Sequence, residues 1–360
     1  MKTAPVYRAL SELDDAPELL LVHTGQHYDP EMSTVFVEEL DLPQPHVFLG
    51  IGAGTHAEQT AKALLGVERA LLEQRPALVV VAGDVNSTLA GALAASKLQI
   101  PVAHIEAGLR SFDDTMPEEA NRRLTDHLSR ILLVHSEGAV ANLIAEGIGT
   151  SRIHLVGNTM IDSVFRRLAP ALARTPWSAF GVEPGRFALV TLHRPALVDD
   201  VDLLRETMQA LMDLGHRLPV IFPVHPRTRR RLADAGFDQQ IPGRGLVVCP
   251  PLGYLDFLAL EAKAAFVLTD SGGIQEETSA LGIRCFTLRA TTERPVTVEL
   301  GTNTILGVDP SAIRVIPKLI DEDNRPHGEI PLWDGQAGRR AAGVIVDFLA
   351  STTDALRRPA

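Results

Sequence analysis

The sequence predicts an α/β protein built as two doubly wound, Rossmann-like domains facing each other across a cleft. Three observations lead there. Short apolar runs alternate with helix-period segments from one end to the other. Runs such as Leu78-Val79-Val80-Val81 and Ile131-Leu132-Leu133-Val134 show no polar alternation, the pattern of parallel strands covered on both faces. The same alternation restarts near residue 186, and 360 residues exceed what one core usually organises.

In the first half, Leu19-Leu20-Leu21-Val22, Leu78 to Val81, Val102-Ala103-His104-Ile105 and Ile131 to Val134 read as strands. Between them, Ala57 to Leu72 reads as a helix with Ala61, Leu64, Leu65, Glu68 and Leu72 at helical spacing, and Ser87 to Leu98 as another. In the second half, strands are expected at Phe187 to Leu192, Pro219 to Pro223, Leu246 to Val248 and from Phe266. The low-periodicity stretch Pro170 to Pro184 reads as the linker, so residues 1–168 form the first domain and 169–339 the second. Facing sheets of this kind bring their carboxyl ends to one cleft, where ligands of open α/β folds bind.

Composition narrows the function. Hydrophobic content of 45% and charged content of 22% are ordinary for a globular enzyme. A net charge of -11 argues against a nucleic-acid partner, which needs a basic face. No run approaches the ~18 apolar residues of a membrane span, and the N-terminus has no signal-peptide pattern. Cys249 and Cys285 fall at strand ends as small hydrophobes, which suits a reducing, cytoplasmic setting and provides no metal site.

The unusual polar residues cluster just past strand ends. Gly83-Asp84-Val85-Asn86-Ser87-Thr88 follows one strand, Glu106-Ala107-Gly108-Leu109-Arg110 the next, and Met116-Pro117-Glu118-Glu119-Ala120-Asn121-Arg122 opens a helix. Asp84 also suits a turn and Glu118 an ordinary first-turn position, whereas an acid such as Glu106 at the end of a buried strand needs a partner or a task. From the second half come Thr191-Leu192-His193-Arg194 and Phe222-Pro223-Val224-His225-Pro226-Arg227. In Phe266-Val-Leu-Thr-Asp-Ser-Gly-Gly-Ile-Gln-Glu-Glu277, the small residues Ser271, Gly272 and Gly273 let a ligand approach the backbone at a helix start. Glu277, one turn in, is placed to accept hydrogen bonds from ribose hydroxyls. A bare capping role for Asp270 or Ser271 fits the same residues. Acids on one wall and cations with helix amides on the other suggest a nucleotide-sugar, its diphosphate on the second domain.

Assembled, these motifs resemble the non-hydrolysing UDP-N-acetylglucosamine 2-epimerases, which share the two-domain GT-B fold. The likeness runs through His23-Thr-Gly-Gln-His-Tyr-Asp29, Gly83 to Thr88, His104-Ile-Glu-Ala-Gly-Leu-Arg110, Pro117 to Arg122, Val156-Gly-Asn158, Thr191 to Arg194, Asp270 to Glu277 and Thr292-Glu-Arg-Pro295. By motif, the resemblance implies catalytic positions at Asp84, Glu106, Glu118, Arg122 and His193. It implies UDP-holding positions at Lys2, Phe257, Ser271, Gly272, Gly273 and Glu277, with Leu252 where some members have Gln beside the uracil. The implied reaction inverts C2 of UDP-GlcNAc by eliminating UDP to 2-acetamidoglucal and adding it back. It needs no metal or other cofactor, and the family suggests a homodimer. Analogy with two-lobed sugar-nucleotide folds places the final helix, Gly335 to Leu356, back on the first domain.

A GT-B glycosyltransferase, a hydrolysing epimerase and a silent UDP-sugar-binding protein are the rival readings. Regulation by UDP-GlcNAc at a second site would involve Gln26 and His27, although Asp29 and Lys62 depart from that pattern. The chain opens with a first helix at Met1 to Leu10, where the resembling family has a strand and a Gly-Thr-Arg-Pro-Glu loop ahead of it. The expectation is that Met1 is internal to a longer natural chain and that the chain as written is weakly stable and poorly active.

Overall fold

The computed structural model describes residues 1–25, 39–224, 226–237, 245–322 and 328–357. The chain forms two compact units: Met1–Arg166 with Pro331–Ala360, and Arg167–Ile330. The stretch expected as a linker is instead the end of the helix Thr159–Ala173 and a short turn of 3-10 helix at Pro176–Phe180. Trp177, Phe180 and Val182 explain this, because they pack against the core of the second unit. The change of unit falls at Arg166 to Arg167, four residues before Pro170, which has no N–H to give the carbonyl of residue 166.

In the first unit, β1 (Val22–His23) pairs in parallel with β2 (Val47–Phe48). A separate parallel sheet runs β3 (Val79–Ala82), β4 (Val102–Ile105), β5 (Ile131–Val134) and β6 (Ile153–Leu155), in that order. The expected strand at Leu19 to Val22 reduces to its last residue, since the Leu21 N–H goes to Nδ1 of His46 and Leu20 is exposed. Alternation along β5 feeds two cores. Ile131 and Leu133 pack with Val6, Leu10, Ala341 and Ile345, while Leu132 and Val134 pack with Ala139, Leu143 and Ile148. The terminal helix Ala337–Arg357 therefore completes the core of the first unit against the opening helix Ala4–Ser11. The helix expected at Ala57 to Leu72 spans His56–Gln74 and starts with a full capping box at Thr55 and Glu58. It buries Ala63, Val67, Ala70 and Leu71, however, while Leu65 and Leu72 are exposed.

Gly157 turns the chain with φ at +89°, and a Cβ there would overlap the carbonyl of Leu332. Gly157→Ala is expected to cost ~2 kcal/mol or more and to lower Tm by roughly 4 °C in a thermal melt. An unchanged Tm would show that the Leu332 segment yields freely.

The second unit carries six parallel strands: β7 (Ala188–Thr191), β8 (Val220–Pro223), β9 (Leu246–Cys249), β10 (Phe266–Thr269), β11 (Cys285–Thr287) and β12 (Asn303–Ile305). Their spatial order is β12-β11-β10-β7-β8-β9, the doubly wound arrangement whose direction reverses between β7 and β10. Ala188, Val190, Phe222 and Leu268 enter one core, and Leu189, Ile221, Cys249 and Val267 the other. Both cysteines are free and buried, and burial pushes their thiols up to about 11 at Cys249 and about 12 at Cys285. Among the described residues no helix is long and apolar enough to cross a membrane.

Candidate active site

In the first unit the site grows from the ends of two neighbouring strands. Ala82 pairs with Ile105, so the Gly83-Asp84 turn and Glu106 emerge side by side, and the Gly83 N–H bonds to the Ile105 carbonyl at 3.0 Å. Glu106 has φ at +69°, a left-handed conformation that costs a non-glycine residue ~1–2 kcal/mol. Its carboxylate is nearly buried and ion-paired with Lys2. The resemblance grouped Lys2 with the UDP-holding positions, but its ammonium lies on a catalytic candidate. Gly83 makes room for the pair, because a Cβ would stand 3.0 Å from Lys2 Nζ and 3.5 Å from Glu106 Oε2.

The helix Pro117–Leu128 grips the same turn. Arg122 donates from Nε to Asp84 Oδ2 at 2.9 Å and from Nη1 to Glu119 Oε2 at 2.9 Å, and Asn121 donates to the Asp84 carbonyl at 2.9 Å. Glu119 is buried and also accepts from the Ser111 N–H, the Ser111 hydroxyl and the Phe112 N–H. Burial would raise its pKa, but these bonds and Arg122 outweigh that and lower it. Glu118 is half-buried and makes no hydrogen bond to this group among the described residues. Asp84, Glu106 and Arg122 are thus brought together, with Lys2 and Glu119 added by the structure. Beneath them, fully buried His104 joins Asp126 (2.7 Å) to the Gly83 carbonyl (2.8 Å), and Asp126 in turn pairs with Arg110.

In the second unit, His193 follows β7 and Asp270 follows β10, the two strands at the reversal point. Asp270 Oδ2 accepts the N–H groups of His193 and Arg194, each at 2.8 Å. Its Oδ1 lies 3.0 Å from His193 Nδ1, and its carbonyl accepts Arg194 Nε at 2.9 Å. Asp270 therefore orients the His193 loop and does not cap the helix Gly272–Leu281, whose N-terminus has no side-chain cap from Ser271 either. Helix starts of this kind are suited to anions.

The surroundings of this turn are cationic and tightly held. A Cβ at Gly272 would overlap the Arg294 guanidinium, which also meets Glu276 at 3.1 Å. Glu293 gathers Arg289 (2.7 Å), Arg294 (3.5 Å) and Arg194 (3.7 Å). Burial would raise the Glu293 pKa, but Arg294 and Arg289 overcome it and hold the carboxyl at about 2. Fully buried Gln275 donates to the Ser271 carbonyl and accepts from Thr292 and Asn303. Phe257 and Leu252 pack at the edge of the same core. His225 of the sequence reading, with Gln26, His27 and Asp29, lies outside the described residues.

The model of the UDP-N-acetylglucosamine 2-epimerase family matches residues 11–346. The chain belongs to this family. A UDP-N-acetylglucosamine 2-epimerase of Methanocaldococcus jannaschii is 42% identical over 351 residues, covering 96% of this chain and 95% of that protein. A crystal structure of an epimerase from that organism, in complex with UDP-GlcNAc and UDP, superposes with a TM-score of 0.88 at 40% identity, covering 96% of each chain. A UDP-2,3-diacetamido-2,3-dideoxy-D-glucuronate 2-epimerase of Pseudomonas aeruginosa is 40% identical over 359 residues, covering 97% of this chain and 96% of that one. In this epimerase the fold is α/β with two Rossmann-like halves, as in its GT-B-like structural relatives. Sequence reasoning missed Glu119, Gln275 and Asn303, because the helix faces that bury Glu119 and Gln275 are themselves largely polar.

Proposed function

We propose that this epimerase interconverts UDP-GlcNAc and UDP-ManNAc without releasing the free sugar. The helix amides at Gly272 and Gly273, with His193, would hold the diphosphate, and Glu277 the ribose. Asp84, set by Arg122, and Glu106, set by Lys2, would serve the sugar together with Glu118. In the forward sense a carboxylate takes the proton from C2, the C1–O bond to UDP breaks, and a C1=C2 double bond forms in 2-acetamidoglucal. Reprotonation of C2 on the opposite face and return of the UDP oxygen to C1 complete the inversion. His193 would stabilise the departing diphosphate, where the charge change is largest.

The observation that carries this reading is the Lys2–Glu106 and Asp84–Arg122 constellation at two adjacent strand ends. A glycosyltransferase has less use for so many acids around the sugar. A second reading, the 2,3-diacetamido glucuronate as substrate, is favoured by the Pseudomonas relative at 40% identity. Incubation with each nucleotide-sugar, followed by NMR, separates the readings. UDP-ManNAc from UDP-GlcNAc is the expected product. Turnover of the glucuronate alone would move the substrate assignment, and free ManNAc as the main product would replace it with a hydrolysing reaction.

A further inference from the structure

The Glu277 carboxyl is not alone. Glu261, the last residue of the helix Tyr254–Glu261, is 0% exposed, and Glu277 is 4% exposed. The two carboxyls face each other, and neither oxygen of Glu261 nor Oε2 of Glu277 meets an N–H or hydroxyl donor from any other residue. No ion pair reaches the Glu261 carboxyl among the described residues, in contrast to Glu293, which holds three guanidinium groups. Two ionised carboxylates have no proton to share and would repel each other in a dry interior. A single proton supplies the missing donor and removes the repulsion.

We infer that Glu261 is a positioning residue: as a buried carboxylic acid it donates to Glu277, aiming that carboxylate at the vicinal ribose hydroxyls and selecting ribo- over deoxyribonucleotides. The inference rests on the ribose role of Glu277 proposed above. Burial, then Glu277 itself, pushes the Glu261 pKa well above its usual value, and full burial with no donor on either oxygen favours the neutral acid there. Burial raises Glu277 only to about 7, and its bond to Glu261 opposes the rise. The other titratable group beside Glu261 is the Cys285 thiol on β11, uncharged because burial first, and Thr278, Thr287 and Glu261 after it, leave it at about 12. A ligand that donates hydroxyl hydrogens thus meets an acceptor already fixed by its neighbour, and little of the binding energy is spent on ordering it.

The test compares UDP with 2′-deoxy-UDP by calorimetry on wild type, E261Q and E261L. Wild type is expected to prefer UDP by ~10-fold or more, the usual penalty for leaving a charged acceptor unpaired. E261Q keeps an N–H donor and should keep most of that preference. E261L should bind UDP ~10-fold more weakly and 2′-deoxy-UDP almost unchanged, so its preference falls toward one. A merely structural role would weaken both ligands together, and an E261L ratio equal to wild type would overturn the inference. Should E261L not fold, infrared spectroscopy of the other two proteins decides. Wild type should show the carbonyl band of a buried protonated carboxyl at neutral pH, shifted by UDP and missing in E261Q, and its absence would equally overturn the assignment. Failure of wild type to bind UDP at all would instead overturn the reading of the site, and this inference with it.

Discussion

Glu106→Gln is expected to lower kcat for UDP-GlcNAc epimerisation at least ~100-fold while the affinity for UDP stays within about threefold. The substitution keeps the size of the side chain and its hydrogen-bonding capacity, so the strand end and its left-handed residue are retained. What it removes is the negative charge that Lys2 faces and the ability to take or return a proton. A group that acts on the reacting carbon changes the barrier more than the ground state, which is why kcat carries the loss. Circular dichroism and Tm should be close to wild type. Turnover within about threefold of wild type would remove Glu106 from the chemistry and leave it as the structural partner of Lys2.

Asp270→Asn should have an effect of similar size by a different route. The carboxylate serves two backbone N–H groups at 2.8 Å and the His193 ring nitrogen at 3.0 Å, all from a position 1% exposed. An amide oxygen can still accept from the backbone, but it no longer offers a charge to an N–H at His193 Nδ1. The ring loses the partner that fixes its orientation, as in other Asp–His pairs. A fall of ~100-fold in kcat is expected, with a smaller change in KM. Loss of KM alone would place His193 in ground-state binding and not in stabilising the departing diphosphate.

Strands β7 to β10 of the second unit were legible because they are runs rich in Val, Ile, Leu and Phe bounded by turns, whereas the short, polar β12 (Asn303–Ile305) was not expected. Pairing was not legible. Asp270 read equally well as a helix cap or an anion-site residue, since its bonds to the His193 loop depend on β7 lying beside β10, 77 residues away in sequence. The inward face of the helix His56–Gln74 was obscured for another reason. Both of its faces carry apolar residues, and only packing chose Ala63, Val67 and Leu71 over Leu65 and Leu72. Adjacent acids pose the same difficulty at a finer scale: Glu118 and Glu119 differ by one helical step, and the buried one is Glu119, taken inward by Ser111 and Arg122. Lys2 near the chain start and Glu261 at a helix end are charged types that ordinarily sit in solvent. The resemblance placed Lys2 among the UDP-holding positions, and its pairing with Glu106 shows only in three dimensions, as does the place of Glu261 beside Glu277.

The central claim, elimination and re-addition with a carboxylate handling the C2 proton, is tested most directly in heavy water. The protein is incubated with UDP-GlcNAc in D2O and the C2 position of both epimers is followed by proton NMR. The account predicts UDP-ManNAc carrying deuterium at C2, with deuterium also appearing at C2 of the UDP-GlcNAc that remains, because the abstracted proton exchanges with solvent before it is returned. UDP-ManNAc that retains its original C2 proton through many turnovers would contradict it.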